Sequence, residues 1–512
     1  MKILTSAQIR QVDAYTIEHE PILSIDLMER AAEKCFKWIT IKIKKTRKIK
    51  VLCGLGNNGG DGLVIARLLH KAGYSVEVLI LRHSDKCSED FKINEERFRK
   101  LKKKIISDIK EATELPEFSD DEVIIDAILG SGLTKPVEGF LAEIIDKINV
   151  CKGYVISIDM PSGLFSEDNS TRPAAKLAGK HKSIVNADVT LTFQVPKLAF
   201  VLPENYKYVG EWVLLDIGLD KGFIDSLDSP YYFVEENDVR QFLKVRGKYA
   251  HKGNFGHALL IAGSYGKMGA VILGSKACLR SGAGLITVHI PKIGYQIMQR
   301  SVPEAMVSID SENEFIGSLP DILKYNAIAI GPGIDKKEET QNVLKLLIQS
   351  SSIPLIFDAD ALNILSENKT WLSFIPKQSI LTPHPKEFER LVGKKPDNDF
   401  HRLQLQMELS VKHGIYIIYK GAYSTISAPN GGFFFNPTGN PGMATGGSGD
   451  VLTGILLGLK ACGYSSMETC IIGTFLHGLA GDIAKEKKGE ESLIAGDLVD
   501  NISKAFVSLR TV

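Results

Sequence analysis

Two clusters of residues in this sequence carry the parts of a chemical site. The first is Asn440-Pro441-Gly442-Met443-Ala444-Thr445-Gly446-Gly447-Ser448-Gly449-Asp450, followed by apolar residues at helical spacing: Val451, Leu452, Ile455, Leu456 and Leu459. Small residues ahead of a helix make a nest of backbone amides for an anion. An aspartate beside that nest is placed to take a proton from an attacking hydroxyl. Anion cradle and positioned base are what phosphoryl transfer needs. A simple helix cap would also use Ser448 or Asp450, but a cap has no need of Gly-Gly-Ser-Gly.

The second cluster is GLGNNGGDG, residues 54–62, with the glycine spacing of a dinucleotide-binding turn. It follows a β-branched run and opens a helix, so its backbone amides can meet a phosphate. A dehydrogenase would place an acid after the next strand, to hold the adenine ribose. Here that strand ends Leu81-Arg82-His83, which weakens the redox reading, although an arginine there could face a 2′-phosphate. Two other strands end in acids, at Asp126 and Asp159. Each precedes a turn of small residues, Gly130-Ser131-Gly132 and Pro161-Ser162-Gly163. Ligands bind at strand C-termini in open parallel sheets, so Asp61, Asp126 and Asp159 are expected to line one crevice.

These positions require an alternating scaffold. Strand-like runs at 49–53, 76–81, 123–128, 154–158 and 189–193 alternate with helical patterns, as in a parallel sheet covered on both faces. Ile25, Met28, Ala32, Cys35, Phe36 and Ile39 predict an amphipathic helix against that sheet. Periodicity lapses over 218–238 and then resumes, with strands expected at 258–262, 285–290, 327–330, 355–357 and 415–419. A hairpin is expected at 424–436 around Asn430-Gly431. The fold class is therefore α/β with two domains: 1–217, a Rossmann-like three-layer sandwich, and 239–512, joined by a linker at 218–238. Supporting stretches in the second domain are His251-Lys252-Gly253, Gly331-Pro332-Gly333, Asp358-Ala359-Asp360, Thr382-Pro383-His384 and Lys420-Gly421-Ala422. His384 reads either as a satisfied loop histidine or as a ligand contact made rigid by its prolines.

Composition narrows the function classes. The 512 residues are 44% hydrophobic and 24% charged, with a net charge of +1. No global field recruits nucleic acid or membrane. Basic runs at 42–50 and 97–104 read as solvated helix ends. Seven cysteines, with no C-x-x-C, point to free thiols in a reducing compartment, and no apolar run is long enough to cross a bilayer. A cytoplasmic protein is expected.

The motifs taken together carry a family resemblance. "TSAQIRQVDAYTIE", "DLMERAA", "GLGNNGGDGLVIARLL", "DAILGSGL" and "SIDMPSGL" resemble the YjeF N-terminal family, the NAD(P)H-hydrate epimerases, over about 1–217. The resemblance implies that Asn57, Asn58, Gly59, Gly60 and Asp61, with Gly130, Ser131, Gly132, Leu133, Thr134, Lys135 and Pro136, contact the hydrated dinucleotide. It implies a potassium ion held by Asn58, Asp126 and Ser162, and a proton moved by Asp159. "HKGNFGHALLIAGS", "IGPGI", "DADALN", "LTPHPKEFERL" and "NPTGNPGMATGGSGDVLTG" resemble the ADP-dependent NAD(P)H-hydrate dehydratases of the ribokinase-like superfamily, over about 240–509. That resemblance implies a ribokinase-like α/β sandwich. In it Lys420, Gly421, Ala422, Tyr423, Ser424 and Gly449 bind ADP. Ala270, Gly333, His384 and Asp450 contact the hydrate, and Mg2+ bridges the phosphates.

Gly331-Pro332-Gly333-Ile334-Asp335 lacks the third glycine usual in that turn, with only a local effect expected. The function implied is bifunctional: an isomerase exchanging R and S hydrates, and a lyase using Asp450 as base to dehydrate the S form. A homo-oligomer is expected. Two other readings remain open from residues alone: a small-metabolite kinase with a dinucleotide-sensing domain, and a silent nucleotide-binding scaffold.

Overall fold

The structure is a computed structural model describing residues 1–101, 105–169 and 183–511. The chain forms two compact units. One comprises Lys2–Ser229 with Asn398–Phe400; the other comprises Met1, Pro230–Asp397 and His401–Val512.

The N-terminal unit has strands β1 (Ile49–Cys53), β2 (Val76–Leu81), β3 (Ile106–Ile109), β4 (Val123–Ala127), β5 (Tyr154–Ile158), β6 (Val189–Phe193) and β7 (Glu211–Leu215). They form one parallel sheet in the order β3-β2-β1-β4-β5-β6-β7. Strand alternation sends Ile49, Val51 and Cys53 to one face, against Met28, Ala32, Cys35 and Ile39 of the helix Ser24–Lys42. Leu52, Leu79, Leu81 and Ile124 point the other way, onto Ile144, Ile145 and Ile148. Two apolar cores, one per sheet face, make the three layers. The chain reverses direction across the sheet between β1 and β4, which opens a crevice beyond their carboxyl ends.

The C-terminal unit holds β8 (Tyr231–Phe233), β9 (His257–Ile261), β10 (Leu285–Ile290), β11 (Met306–Ile309), β12 (Ala327–Ile330), β13 (Leu355–Phe357), β14 (Ile380–Leu381), β15 (Tyr416–Tyr419), β16 (Thr425–Ser427) and β17 (Phe433–Phe435). Their order is β11-β10-β9-β12-β13-β14-β15-β16-β17-β8, parallel from β11 to β15. The predicted hairpin is β16–β17, with Thr425 opposite Phe435. Ala258 and Leu260 face the helices Met268–Arg280 and Ser448–Ala461; Leu259 and Ile261 face Glu338–Ser350 and Asp360–Glu367.

Several elements differ from the sequence expectations. The stretch 218–238 contains a helix, Lys221–Ser226, and β8, which pairs with β17 as the sheet's edge. Strands β3, β8, β11 and β14, two to four residues long, were not predicted, and neither was the five-residue edge strand β7. Lys50, in a basic run expected to be solvated, is buried on β1 and paired with Glu122 at 3.1 Å. Residues 102–104 of the other run lie outside the described residues. All seven cysteines are free, with Cys35, Cys53, Cys278 and Cys470 buried and Cys151 only half-buried. No helix among the described residues is long and apolar enough to cross a membrane.

Candidate functional sites

In the N-terminal unit only residues 54–56 form the turn after β1; Asn57 already begins the helix Asn57–Lys71. The glycines there serve close packing. A Cβ on Gly54 would lie 2.0 Å from the Ile128 carbonyl oxygen, and one on Gly59 would lie 1.9 Å from the Gly54 oxygen. This draws the helix start onto the ends of β1 and β4. The crevice outside those ends encloses about 940 Å3.

Asn57, Asn58, Asp61, Gly130, Ser131, Gly132, Leu133, Thr134, Lys135 and Asp159 all line this cavity. Gly59, Gly60 and Pro136 are not part of its wall, and neither is Asp126, expected there with Asp61 and Asp159 but fully buried behind it. Gly60 faces Met28 instead, where a Cβ would come within 2.7 Å of the sulfur. Arg82, considered for a 2′-phosphate, is engaged by Glu95 and Asp108.

Asp159 sits at φ +61°, a left-handed conformation that non-glycine residues hold only where their surroundings enforce it. Its N–H donates to Leu191 O at 2.7 Å, and Ser131 N–H donates to Oδ2 at 3.0 Å. Lys197, 1% exposed, reaches Oδ1 at 2.8 Å while also donating to Thr192 Oγ1 and Phe193 O. Burial alone would raise the Asp159 pKa. The Lys197 ammonium, then Ser131, outweigh it and hold the carboxyl below its usual value. Asp61 goes the other way: burial, then Asp159, Asp13 and Asp90, push it well above the usual value. Sequence reasoning did not find Lys197 or Asp13, both of which line the cavity. The signal for Lys197 was a lone cation inside the apolar stretch 195–202; Asp13 gave none, since the helix Ser6–His19 buries Thr16 beside Val12 and shows no continuous apolar face.

Asp126 and Ser162 meet behind the cavity. Asp126 accepts from Ser157 Oγ (2.8 Å), Ser162 N–H (2.8 Å), Ser162 Oγ and Ile128 N–H (3.3 Å), which braces the end of β4 to the loop after β5. Burial raises its pKa, against those hydrogen bonds. Asn58 is different. Both polar atoms of its buried amide lack a hydrogen-bond partner among the described residues. A Cβ at Gly130 would lie 3.4 Å from Asn58 Cβ and 3.3 Å from Asp159 Oδ2, so amide and catalytic candidate flank the same glycine.

In the C-terminal unit the predicted residues gather at the carboxyl ends of β9, β12, β13, β14 and β15. Gly263 N–H donates to Pro332 O and Ser264 Oγ to Gly333 O, both at 2.8 Å. Gly333 lies against Lys267, one turn before Ala270 in the helix Met268–Arg280. Asp335 takes φ +68° where the missing glycine would be, so the departure falls on a strained backbone position. His384 caps the helix Pro385–Val392: its Nδ1 accepts from Lys386 N–H and its Nε2 faces Glu387 at 3.2 Å. It is thus a satisfied cap whose ring is still half-exposed.

Asp358 is buried and accepts from Lys420 Nζ (2.6 Å), Thr382 Oγ1 (2.7 Å) and Thr453 Oγ1 (2.7 Å). Burial would raise its pKa; Lys420 and the two threonines hold it below the usual value. A Cβ on Gly449 would sit 3.2 Å from Lys420 Nζ, so the glycine lets the anion nest lie directly against the ammonium. Gly421, Ala422, Tyr423 and Ser424 continue from Lys420 as the turn into β16. Gly447 is at φ +91°, and space around Gly446 is open. His477, kept neutral by burial with its pKa lowered to about 4, donates through Nε2 to the Ser448 carbonyl at 2.9 Å and braces the nest from below. Asp450, in the first turn of Ser448–Ala461, accepts no such pairing. Burial and the neighbouring Asp358 raise it to about 6, against Lys420. That value suits a general base near neutral pH.

Comparison with known proteins agrees with both halves. Residues 258–504 match the family model of NAD(P)H-hydrate dehydratase, and residues 24–199 that of the YjeF-related protein N-terminus. The chain is 33% identical to the bifunctional NAD(P)H-hydrate repair enzyme Nnr of Moorella thermoacetica, over 98% of this chain and 96% of that one. It is 34% identical to the enzyme of the same name from Thermofilum pendens, over 100% and 97%. Among solved structures, the ADP/ATP-dependent NAD(P)H-hydrate dehydratase of Bacillus subtilis covers 54% of this chain and 98% of its own, at 29% identity and a TM-score of 0.49.

Proposed function

The chain belongs to the bifunctional NAD(P)H-hydrate repair enzyme family, and from that membership we propose that its N-terminal unit interconverts the R and S hydrates of NADH and NADPH while its C-terminal unit dehydrates the S form with ADP. The observation that carries the reading is Asp450: an unpaired, proton-accepting carboxylate in the first turn of a helix whose glycine nest touches Lys420. Asp450 takes the proton of the C6 hydroxyl, and that oxygen attacks the β-phosphorus of ADP. The amides of 446–449 and Lys420 hold the phosphate oxygens as AMP leaves. The C6 phosphate ester then loses phosphate from C6 and a proton from C5, restoring the dihydronicotinamide. His384, Ala270 and Gly333 would contact the hydrate; Gly421 to Ser424 would hold the nucleotide.

In the N-terminal unit Asp159 is ionised and moves the proton at the C6 hydroxyl. The orphaned Asn58 amide fits an oxygen-coordinated monovalent cation; Asp126 and Ser162 are its further ligands in the family resemblance, and such an ion would neutralise charge near the substrate pyrophosphate. Raising K+ against choline should increase the melting temperature of the chain, and Asn58→Ala should remove that increase; an unchanged response would sink the potassium assignment. No cluster of three or more His, Cys, Asp or Glu side chains able to hold a metal occurs among the described residues. Asp358 is saturated by its three partners, so Mg2+ would act on the nucleotide phosphates rather than in a carboxylate cage. The free thiols accord with a cytoplasmic setting, and a homo-oligomer completes the reading.

The decisive experiment supplies a mixture of R and S hydrates with ADP and Mg2+ and follows reduced-nicotinamide absorbance. Recovery of both epimers, with AMP and phosphate as products, is expected. Recovery that stops at the S fraction would overturn the epimerase half; none at all would overturn the dehydratase half.

A further inference from the structure

Among the ionisable groups of the N-terminal cavity that the proposed chemistry leaves without work is Asp13. Asp13 projects from the helix Ser6–His19 onto the cavity wall that also carries Asp159 and Lys197. It lies close enough to feel both members of that ion pair. No hydrogen bond from the described residues reaches its carboxyl. Asp61, another unpaired acid of the wall, is raised by burial and by Asp159, Asp13 and Asp90. Asp13 lines the same cavity as the Asp159–Lys197 pair and responds to both of its members.

We propose that Asp13 is a second catalytic residue of the epimerase site, a proton donor working opposite the Asp159 base, with Lys197 as the residue that positions Asp159. This rests on the epimerase reading. The hydrate is a carbinolamine at C6, bonded to N1. Asp159 takes the hydroxyl proton, and the O–H electron pair forms the C6=O bond. The C6–N1 bond breaks onto N1, which receives the proton of the Asp13 carboxyl. Rotation about C5–C6 turns the other carbonyl face to N1. N1 attacks C6, Asp13 takes its proton back, and Asp159 returns the proton to oxygen. Both carboxyls end as they began, and only the configuration at C6 has changed.

The protonation states suit these roles. Burial, then the Asp159 charge, raises Asp13 to about 6 against Lys197, while Asp159 is held below its usual value. Pairs pushed apart in this way divide into acid and base. The groups facing Asp13 from other elements are Asp159 after β5, Lys197 after β6 and Asp61 from the helix Asn57–Lys71; the Cys35 thiol below them is buried and protonated. Substrate filling the cavity strips remaining water from Asp13 and raises it further.

The test uses the full chain without ADP, converting purified R hydrate and separating the epimers chromatographically. Asp13→Asn should lower kcat about 100-fold with KM little changed, the usual size of a general-acid contribution. The wild-type kcat/KM should fall as pH rises through about 6, where Asp13 loses its proton, and Asp13→Asn should lack that limb. Asp13→Glu should recover part of the rate. ADP-dependent dehydration of S hydrate by the same variants reports that the chain is folded. Asp13→Asn turning over within about twofold of wild type, or keeping the limb, would overturn the assignment. So would a loss confined to KM, which marks mere binding. If wild type epimerises no faster than buffer, the epimerase reading falls and this one with it.

Discussion

The two sites solve one electrostatic problem in the same way with different actors. Each places an aspartate at a strand end and buries it against a lysine: Asp159 with Lys197, Asp358 with Lys420. Each also keeps a second aspartate unpaired and raised to about 6: Asp13 in the first, Asp450 in the second. In the proposed N-terminal mechanism the lysine-paired aspartate, which faces the cavity, is the base and the raised one the acid. In the C-terminal site the paired Asp358 is enclosed by Thr382 and Thr453, so the proposal gives the role of base to the raised Asp450. The same pair of environments thus yields opposite assignments, decided by which carboxyl the substrate can reach.

The comparison breaks most readily at Asp450. Asp450→Asn should lower dehydration at least about 1,000-fold while epimer exchange persists; dehydration near wild-type rates would show that another group is the base. Next come the two lysines. Lys197→Met and Lys420→Met each leave a buried carboxylate unpaired, and each should cost about 3 kcal/mol in urea unfolding at neutral pH. Lys197, the more deeply buried, should cost more, and equal small losses would mean that these pairs do not hold their aspartates.

A finer test is pH. Dehydration should rise through about 6 as Asp450 ionises, whereas epimerisation should fall over the same range as Asp13 does. Parallel profiles would remove the contrast. The sign for stability is shared. Both carboxyls are raised from an ordinary 3.8, so the stability of their proton-bound forms is complete below that value and lost as pH rises through about 6. Asp13→Asn and Asp450→Asn should accordingly be more stable than wild type at about pH 8, by about 1 kcal/mol. The smallest effect is expected at Asp335→Gly, which relieves a left-handed backbone and should stabilise by roughly 0.5–1 kcal/mol; destabilisation would mean that the Asp335 side chain, which accepts from Lys336 N–H, outweighs the strain.

Much of this was legible because motif and strand end coincide in the sequence. Asp126, Asp159 and Asp358 each close a β-branched run, and strand C-termini are where an open parallel sheet presents side chains to a ligand. The Gly446–Asp450 sequence announced its nest through glycines that no cap requires. By contrast, β3, β8, β11 and β14 are too short to show a period of two, so three of the four sheet edges and the inner strand before β15 escaped notice; the fourth edge, β7, is half-exposed along Trp212–Leu215 and shows no clean alternation either. The expected role of Gly59 and Gly60 also shifted: they allow the helix to close on the turn and on Met28, and Asn57, Asn58 and Asp61 present the side chains.

By itself, then, the sequence determined the α/β alternation and the two-part organisation, and it singled out Asp159 and Asp450 as candidates, all from neighbours within a few residues. Only the tertiary structure decided that Lys197, which lies 38 positions beyond Asp159, holds it ionised, that Asp13 enters the same cavity, and that Asp358 is occupied by Lys420. Protonation depends on burial and on charges a few ångströms away, and those distances are set by strand order and helix packing, which no local pattern encodes.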